Sequence, residues 1–491
     1  MKLSSWAFPA FLILLFLAAQ IPLWGYWTDD TYIHMVYAKN LVAGHGWSFN
    51  PGEASYGSTS PLWVLLLAPW ASTEAGGLLA AKLLGILAAL ISILLFHKLS
   101  GRFLPDETLR RSASFLFATE VWFLRWSASG MESSLAVLAL LLILLALSAP
   151  LKNRGDFFRL GLFGGLACLV RPEFYLFGFL LGLAGLLQRE WRKHLPVLIA
   201  GLLLPTIPWL LFAQFSIGSM LPSTGSAKAE GLQGFGEYLN YAGKLLRIPL
   251  SSQGLLLILA LATLGSSLFS RIRSKECYRP FFWITILWAT LLPLFLLKSG
   301  VALVSRYLLP VTPLIPLAAM MGLRNRLSPL RKFLPLILLL SLLPNLWLYS
   351  SKVLPHARQF PREFGSVMGE VADWLSENDP GSRVACPDIG LIGYRSDCYV
   401  VDLVGLIHPD IADIWHQTSF GKMIEELDFL PLRDADYLIE RTSEGDGLDG
   451  LERRGRRLVI ILEREVPGLG IARDGGFRYR FYRIERHDQV E

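Results

Sequence analysis

The sequence predicts a multispan α-helical membrane protein with about eleven transmembrane helices and a C-terminal soluble α/β domain. The chain has 491 residues, 53% of them hydrophobic, and a mean hydropathy of +0.44, which is too apolar for an ordinary soluble protein. Eleven apolar runs fill the part before residue 350. Beyond it the charge rises, the runs become short, and Gly, Asp and Pro separate them.

The apolar runs are residues 9–26, 77–96, 112–124, 133–149, 160–170, 174–187, 195–215, 254–269, 281–297, 301–322 and 333–349. Several are shorter than the roughly 20 residues of a full span, so we expect neighbouring helices to shield them. We expect run 9–26 to be a retained first helix and not a cleaved signal peptide, because no small-residue cleavage site follows it.

Basic residues predict the orientation of the spans. Arg and Lys residues cluster in every second loop, which is typical of cytoplasmic loops. The alternate loops, at 27–76, 129–132, 171–173, 216–253 and 298–306, are then extracytoplasmic, and so is the C-terminal region. Since the excess charge of +6 follows this loop pattern and forms no single patch, it does not indicate nucleic-acid binding.

Two domains are predicted, a transmembrane domain at residues 1–350 and an extracytoplasmic α/β domain at 351–491. In the second domain we expect a helix at 360–376 and strands at 383–386, 399–403, 437–440, 457–462 and 477–484. Cys386 and Cys398 could form a disulfide if this region is exported. No cysteine spacing typical of zinc or redox sites occurs in the sequence.

The segment at residues 27–61 is the strongest candidate for a functional site. It places Asp29, Asp30, His34, His45 and Asn50 directly behind the first apolar run. A carboxylate at the membrane boundary is partly desolvated, which raises its pKa and makes it a better base. An alternative role is structural, because Thr28 or Asp29 could cap a helix that Gly44 ends. Both roles are compatible with the sequence.

Other candidate residues lie in the loops predicted to be on the same side. The carboxylate of Glu132 could stabilise a helix N-terminus or belong to a functional site. Arg171 could bind a phosphate or simply neutralise Glu173. Arg306 and Lys298 could bind a lipid phosphate, although residues at span ends also reach headgroups without a specific site. Lys228 lies in a long glycine-rich loop that could act as a substrate gate.

Several motifs resemble those of the GT-C superfamily of membrane glycosyltransferases. The segment DDTYIHMVYAKNLVAGHGWSFNPGE, followed by YGSTSPLW, is similar to the first extracytoplasmic loop of relatives of the mycobacterial terminal β-1,2 arabinofuranosyltransferase. Segments like SGMES, RPE, MLPST and RYLLP follow in the order of that group, and the tail carries DxGxIGY at 388–394 and DLxGL at 402–406. The resemblance therefore covers most of the chain.

The resemblance implies a GT-C fold and transfer of a sugar, possibly arabinofuranose, from a polyprenyl-phosphate donor to a glycan or lipid acceptor at the outer face of the bacterial cytoplasmic membrane. It implies that an aspartate of the first loop is the general base of an inverting reaction, either Asp29 or Asp30, with Asp29 favoured as the residue nearer the membrane exit. The residues expected to bind the donor phosphate or the acceptor are His34, His45, Asn50, Glu132, Arg171, Glu173, Lys228, Lys298 and Arg306. No cofactor is firmly implied; a divalent cation, Mg or Mn, could assist departure of the phosphate.

Two other classes of function compete with this prediction. A transporter or flippase of lipid-linked saccharides would place ionisable residues along a path through the middle of the spans, whereas here they collect at span ends on one side. A non-catalytic scaffold would bind cell-wall glycan through its exported domain.

Overall fold

The computed structural model describes residues 6–220, 222, 232, 234–271, 279–325, 327–409, 411, 434–442, 448–453, 455–467, 470–471 and 476–486. It confirms the predicted fold class, because a bundle of apolar helices is followed by a C-terminal α/β domain with a six-stranded sheet. The bundle supplies most of the walls of the site, and the sheet domain covers one side of it.

Most helices of the bundle begin and end close to the predicted apolar runs, but the helix over run 254–269 already begins at Phe235, within the predicted loop 216–253. They are α1 (Ala7–Gln20), α2 (Asp29–Val42), α3 (Pro61–Leu67), α4 (Glu74–Phe103), α5 (Glu107–Ala118), α6 (Val121–Ser127), α7 (Ser133–Leu147), α8 (Arg154–Val170), α9 (Phe174–Leu187), α10 (Arg189–Arg192), α11 (Leu195–Ile217), α12 (Phe235–Arg271), α13 (Arg279–Ser299), α14 (Leu314–Arg324) and α15 (Leu334–Leu348). Short 3-10 turns lie at Ile21–Leu23, Ala68–Trp70, Ser305–Val311 and Ser328–Phe333.

Within the described residues, six helical segments are long and apolar enough to cross a membrane, and four apolar helices are shorter. The prediction that residues 112–124 form one span is wrong. Helix α5 ends at Ala118 and α6 begins at Val121, because the carboxylate of Glu120 accepts a hydrogen bond from the amide of Phe123 and caps α6. A buried polar cap therefore divides this apolar run.

Helices α8 and α11 pack with their backbones in close contact. An ideal Cβ atom at Gly161 would lie 2.1 Å from the carbonyl oxygen of Leu198, and one at Gly165 would lie 2.3 Å from that of Leu202. Gly201 of α11 meets α8 in the same way, 2.3 Å from the carbonyl oxygen of Phe158. Small residues four apart allow such close approach between helices in a membrane. This contact fixes α8, whose C-terminal end carries Arg171.

Replacing Gly165 by Ala is expected to destabilise the bundle by about 1–3 kcal/mol, because the new methyl group would overlap a backbone carbonyl that cannot rotate away. The matched control is Gly182→Ala on α9, where the added atom would lie 3.8 Å from the side chain of Ile199, an ordinary contact. Thermal unfolding midpoints in detergent measure the difference. Equal midpoints for the two variants would contradict this account of the packing.

The C-terminal sheet has the strand order β2-β1-β3-β6-β5-β4. Its strands are β1 (Arg383–Cys386), β2 (Tyr399–Asp402), β3 (Tyr437–Thr442), β4 (Glu452–Arg453), β5 (Arg456–Val466) and β6 (Phe477–Arg486). Strand β1 pairs in parallel with β2 and β3, and the remaining pairs are antiparallel. All strands except the two-residue β4 were predicted from the sequence.

Two helices connect this sheet to the bundle. Helix α16 (Leu354–Asn378) continues α15 through a π-helical turn at Tyr349–Val353, and α17 (Gly390–Arg395) follows β1 and packs against α2. Because β1, β2 and β3 are parallel, their carboxyl ends share one edge of the sheet, and that edge faces the first loop. Cys386 and Cys398 are buried and unbonded, so the disulfide considered above is not formed.

Candidate active site

Helix α2 carries the two candidate carboxylates on its first turn. It begins at Asp29 and ends at Val42, and Gly44 follows in the left-handed region with a φ of 83°, as the sequence predicted. Successive residues of a helix point about 100° apart, so Asp29 and Asp30 face different surroundings. Only one of them lies at the cavity described next.

A charged cavity of about 290 Å³ lies between α2, the loops that precede α7 and α9, the end of α13 and the turn at Ser305–Val311. Ionisable side chains form one part of its wall, and these are Asp30, His34, Glu132, Arg171, Glu173 and Arg306. Apolar residues, among them Phe295 and Leu296, form another part. Six of the residues predicted to form the site, from four separate stretches of the chain, are therefore close together.

Arg306 faces Asp30 across this cavity. Its Nη2 lies 2.5 Å from Oδ2 of Asp30, and the side chains of Arg306 and Asp30 are 8% and 28% exposed. The guanidinium also stacks on Trp126 and Tyr307, and its Nε has no hydrogen-bond partner among the described residues. Arg171 lies over the same Tyr307 ring, 5.0 Å from its centroid. One aromatic ring thus holds both guanidinium groups beside the cavity.

Arg171 belongs to a buried ion-pair cluster. Its Nη1 donates to Glu132 Oε1 at 2.6 Å, and its Nη2 and Nε donate to the two carboxylate oxygens of Glu173 at 2.6 and 3.2 Å. His34 Nε2 lies 3.3 Å from Glu132 Oε2, while its Nδ1 pairs with the hydroxyl of Ser58 at 2.9 Å. Burial alone would raise the pKa of Glu132, but His34 and the charges of Arg171 and Arg306 lower that pKa to about 2. Glu132 is therefore ionised at neutral pH.

The loop that carries Glu132 is held from both sides. Thr31 of α2 donates to the carbonyl of Ser129 at 2.9 Å, and the indole of Trp63 donates to that of Gly130 at 3.3 Å. Gly130 has a φ of 79°, and an added Cβ atom would lie 2.8 Å from the side chain of Thr31. This position therefore requires glycine, and the SGMES motif is explained by local geometry that fixes the direction of Glu132.

Asp29 does not line the charged cavity and instead joins α2 to the sheet domain. Its carboxylate oxygens accept the amide hydrogens of Gly390 and Leu391 at the start of α17, both at 2.9 Å. Gly390 is in such close contact that a Cβ atom there would lie 2.2 Å from the carbonyl oxygen of Asp29. Burial, with a further contribution from the charge of Asp388, raises the pKa of Asp29 to about 7.

This raised pKa predicts a pH-dependent stability. The folded chain binds the proton of Asp29 more tightly than the unfolded chain, where an aspartate has a pKa of about 3.9, so the free energy of unfolding should fall between about pH 4 and 7 and level off above. Asp29→Asn removes the titrating group, so its unfolding midpoint should vary less with pH than that of the wild type. The exposed change Glu465→Gln is the control, and equal pH slopes for wild type and Asp29→Asn would contradict the assignment.

Three other predicted residues, His45, Asn50 and Lys298, do not line the charged cavity. His45 is exposed in the loop after α2, and Lys298 is exposed on the last turn of α13. The side-chain amide of Asn50 both donates to and accepts from the backbone of Val400, at 2.9 Å each, so it pairs with edge strand β2 like a short strand. Lys228 lies outside the described residues.

Tyr307 and Leu406 are among the residues of the cavity wall that the sequence did not single out. Tyr307 follows Arg306 directly in the RYLLP motif, which was the available signal. Leu406 comes from the sheet domain, through a loop that Asp402 folds by accepting the amide hydrogens of Val404 and Ile407 at 2.8 Å each. The DLxGL motif therefore shapes a loop that completes the cavity.

The described part of the chain contains no group of three or more His, Cys, Asp or Glu side chains placed to hold a metal ion. The acidic residues of the charged cavity are instead engaged with arginines. A role for Mg or Mn stays a prediction.

Comparison with solved structures identifies the fold. ArnT from Cupriavidus metallidurans, solved with bound undecaprenyl phosphate, aligns with a TM-score of 0.59 over 97% of this chain and 98% of that one, at 12% sequence identity. The chain has the GT-C fold. At this identity the likeness concerns the fold alone, and the GT-C fold here positions the six charged and ionisable residues of the cavity.

Two sequence relatives confirm the resemblance that the motifs indicated. Terminal β-(1→2)-arabinofuranosyltransferases of Mycobacterium tuberculosis and Corynebacterium glutamicum are 30% and 31% identical over 226 and 256 residues, or 42% and 44% of this chain. The matches span 36% of the length of each relative. A model of a domain of unknown function, DUF8728, matches residues 356–482.

Proposed function

We propose that this protein is an inverting glycosyltransferase that moves a sugar, with arabinofuranose as the first candidate, from a polyprenyl-phosphate donor to a glycan or glycolipid of the cell envelope. The observation that carries the proposal is the Asp30–Arg306 pair at the charged cavity. It places a candidate base beside a candidate phosphate ligand. The similarity to arabinofuranosyltransferases supports the choice of reaction and of sugar.

The donor phosphate is assigned to Arg306. Guanidinium groups bind phosphate in a bidentate manner, and within the described residues Arg306 pairs with one carboxylate where Arg171 pairs with two. The apolar wall at Phe295 and Leu296 suits the first units of an isoprenoid chain. The similar ArnT structure, which contains undecaprenyl phosphate, supports a ligand of this class.

In the proposed reaction Asp30 is the base. The acceptor hydroxyl oxygen attacks the anomeric carbon and its proton passes to Asp30, while the bond from that carbon to the phosphate oxygen breaks. The polyprenyl phosphate leaves with the bonding electrons, and Arg306 stabilises the charge it gains. Because Arg306 also pairs with Asp30, we expect the donor phosphate to draw the guanidinium away and leave the carboxylate available to the acceptor.

The proposed location is the bacterial cytoplasmic membrane, with the cavity and sheet domain on the extracytoplasmic side. This orientation is supported by the Lys and Arg residues, which are concentrated in the loops predicted at the opposite ends of the helices. An isoprenoid phosphate stays anchored in the bilayer, so a reaction at the membrane boundary also suits the donor.

A transfer assay tests the proposal. Full-length protein in detergent or proteoliposomes is supplied with polyprenyl-phosphoryl arabinofuranose, mannose or galactose and with synthetic alkyl glycoside acceptors, with and without EDTA. The expected result is transfer from the arabinofuranosyl donor. If EDTA abolishes this transfer, a divalent ion takes part in the reaction. Movement of intact donor between leaflets without new glycan would favour a flippase, and absence of both activities with retained glycan binding would favour a scaffold.

A further inference from the structure

A second opening lies where the first loop meets the sheet domain. This junction pocket has a volume of about 280 Å³ and is lined by Asn50, Glu53, Ala54, Ser55, Ile407 and His408. The volume is close to the lower end of small-molecule sites, about 300 Å³. None of the reaction chemistry described above uses the junction pocket.

Neighbouring groups hold Glu53 and His408 in position. The phenolic hydroxyl of Tyr399 on β2 donates to Glu53 Oε2. The backbone amide of Asp402 donates to His408 Nδ1 at 3.4 Å, which makes Nδ1 the acceptor and leaves the ring proton on Nε2. His408 Nε2 lies 3.8 Å from Glu53 Oε2, too far for a hydrogen bond. The pocket therefore presents a fixed acceptor and a fixed donor side by side.

This pair complements hydroxyl groups. A sugar hydroxyl both donates and accepts, so one hydroxyl, or two on adjacent carbons, can bind the Glu53 carboxylate and the His408 N–H together. No lysine or arginine is among the described residues that line the pocket, and Glu53 repels anions. The charged cavity, with its two arginines, suits a phosphate; the junction pocket suits a neutral polyol.

A thin wall separates the two sites. Gly57 and Leu406 line the charged cavity, while Ser55 and Ile407 line the junction pocket. The two segments touch: a Cβ atom at Gly57 would lie 2.7 Å from Ile407 Cγ2 and 3.1 Å from the carbonyl oxygen of Leu406. Because these segments are packed together, an acceptor chain that reacts at Asp30 would have to pass over them to reach Glu53.

We propose that the junction pocket binds an inner sugar of the acceptor, so that the acceptor is an oligosaccharide chain and not a single sugar or a bare lipid. The proposal rests on the proposed function, because it takes the charged cavity as the place of transfer. In this proposal Glu53 and His408 determine the preference for long acceptors and do not contact the reacting atoms.

The test compares Glu53→Gln and His408→Ala with wild type on two acceptors, octyl arabinofuranoside and an octyl tetra-arabinofuranoside. The wild type is expected to have an about tenfold lower KM for the longer acceptor, about 1.4 kcal/mol of binding. Both variants should lose this preference while kcat with the short acceptor stays unchanged. The exposed variant Glu465→Gln is the control. Equal losses on both acceptors, or no loss in either variant, would overturn the proposal.

A binding measurement separates this result from the proposed function. Saturation-transfer NMR with the full-length protein detects the tetra-arabinofuranoside without any turnover. If the wild type transfers no sugar, the proposed function fails, yet weaker signals in Glu53→Gln than in wild type would still support the pocket. Equal signals in the two proteins, or no binding in either, would overturn the proposal.

Discussion

Replacing Asp30 by Asn is expected to reduce sugar transfer by about 10²–10⁴-fold, the range that a general base contributes. The amide is nearly the same size but cannot take the proton of the acceptor hydroxyl. Binding of polyprenyl phosphate should be retained or tightened, since the substitution removes the carboxylate that holds Arg306. Initial rates of transfer and equilibrium binding of polyprenyl phosphate measure the two effects separately.

Asp29→Asn is the decisive comparison for Asp30. The Asp29 carboxylate accepts the backbone amides of Gly390 and Leu391, so its change should lower stability and leave the chemistry of the folded protein largely intact. The exposed change Asp373→Asn controls for the loss of one negative charge. If Asp29→Asn abolishes transfer in folded protein and Asp30→Asn does not, the assignment of the base is reversed.

Replacing Arg306 by Gln is expected to lower kcat/KM for the donor by about 10²–10³-fold, because the charge on the departing phosphate loses a fixed partner. Arg306→Lys should recover part of this loss, since it restores the charge but not the planar fork. The KM for the acceptor should change little. Steady-state kinetics with each substrate varied in turn separate the two constants.

Two further arginines make this prediction specific. Arg171→Gln removes the arginine that pairs with the buried Glu132 and Glu173, so we expect a loss of stability of about 3–5 kcal/mol before any effect on donor binding. Arg358→Gln, at an exposed position of α16, controls for the loss of one positive charge. Equal donor kinetics in Arg306→Gln and Arg358→Gln would rule out Arg306 as the phosphate ligand.

Local patterns were sufficient to predict most elements of the fold. Apolar length predicted the helices, and short β-rich runs predicted five of the six strands, because both signals lie within one element. The run at residues 112–124 failed because hydropathy averages over Glu120, whose effect depends on the amide of Phe123. A single buried cap outweighed a favourable composition.

The site was predictable only as a set of residues. Asp30, Glu132, Arg171 and Arg306 were predicted to lie at the same end of the bundle, and all four line the charged cavity. The choice between Asp29 and Asp30 was beyond the sequence, since it depends on which of two adjacent side chains meets the segment at 388–391. Asn50 likewise looked like a ligand and pairs with Val400, a contact 350 residues away in sequence.

The contact between Asp29 and α17 limits how homologous chains can be recombined. The sheet domain holds the residue immediately before Asp30, so the domain sets the rotation of α2 about its axis and with it the direction of the neighbouring carboxylate. A chimaera that exchanges the tail without its matching first loop would pair a foreign segment with Asp29 across a gap too narrow for even one methyl group at Gly390. The first loop and the segment at 388–391 should therefore be exchanged together in such a chimaera, although some 350 residues separate them.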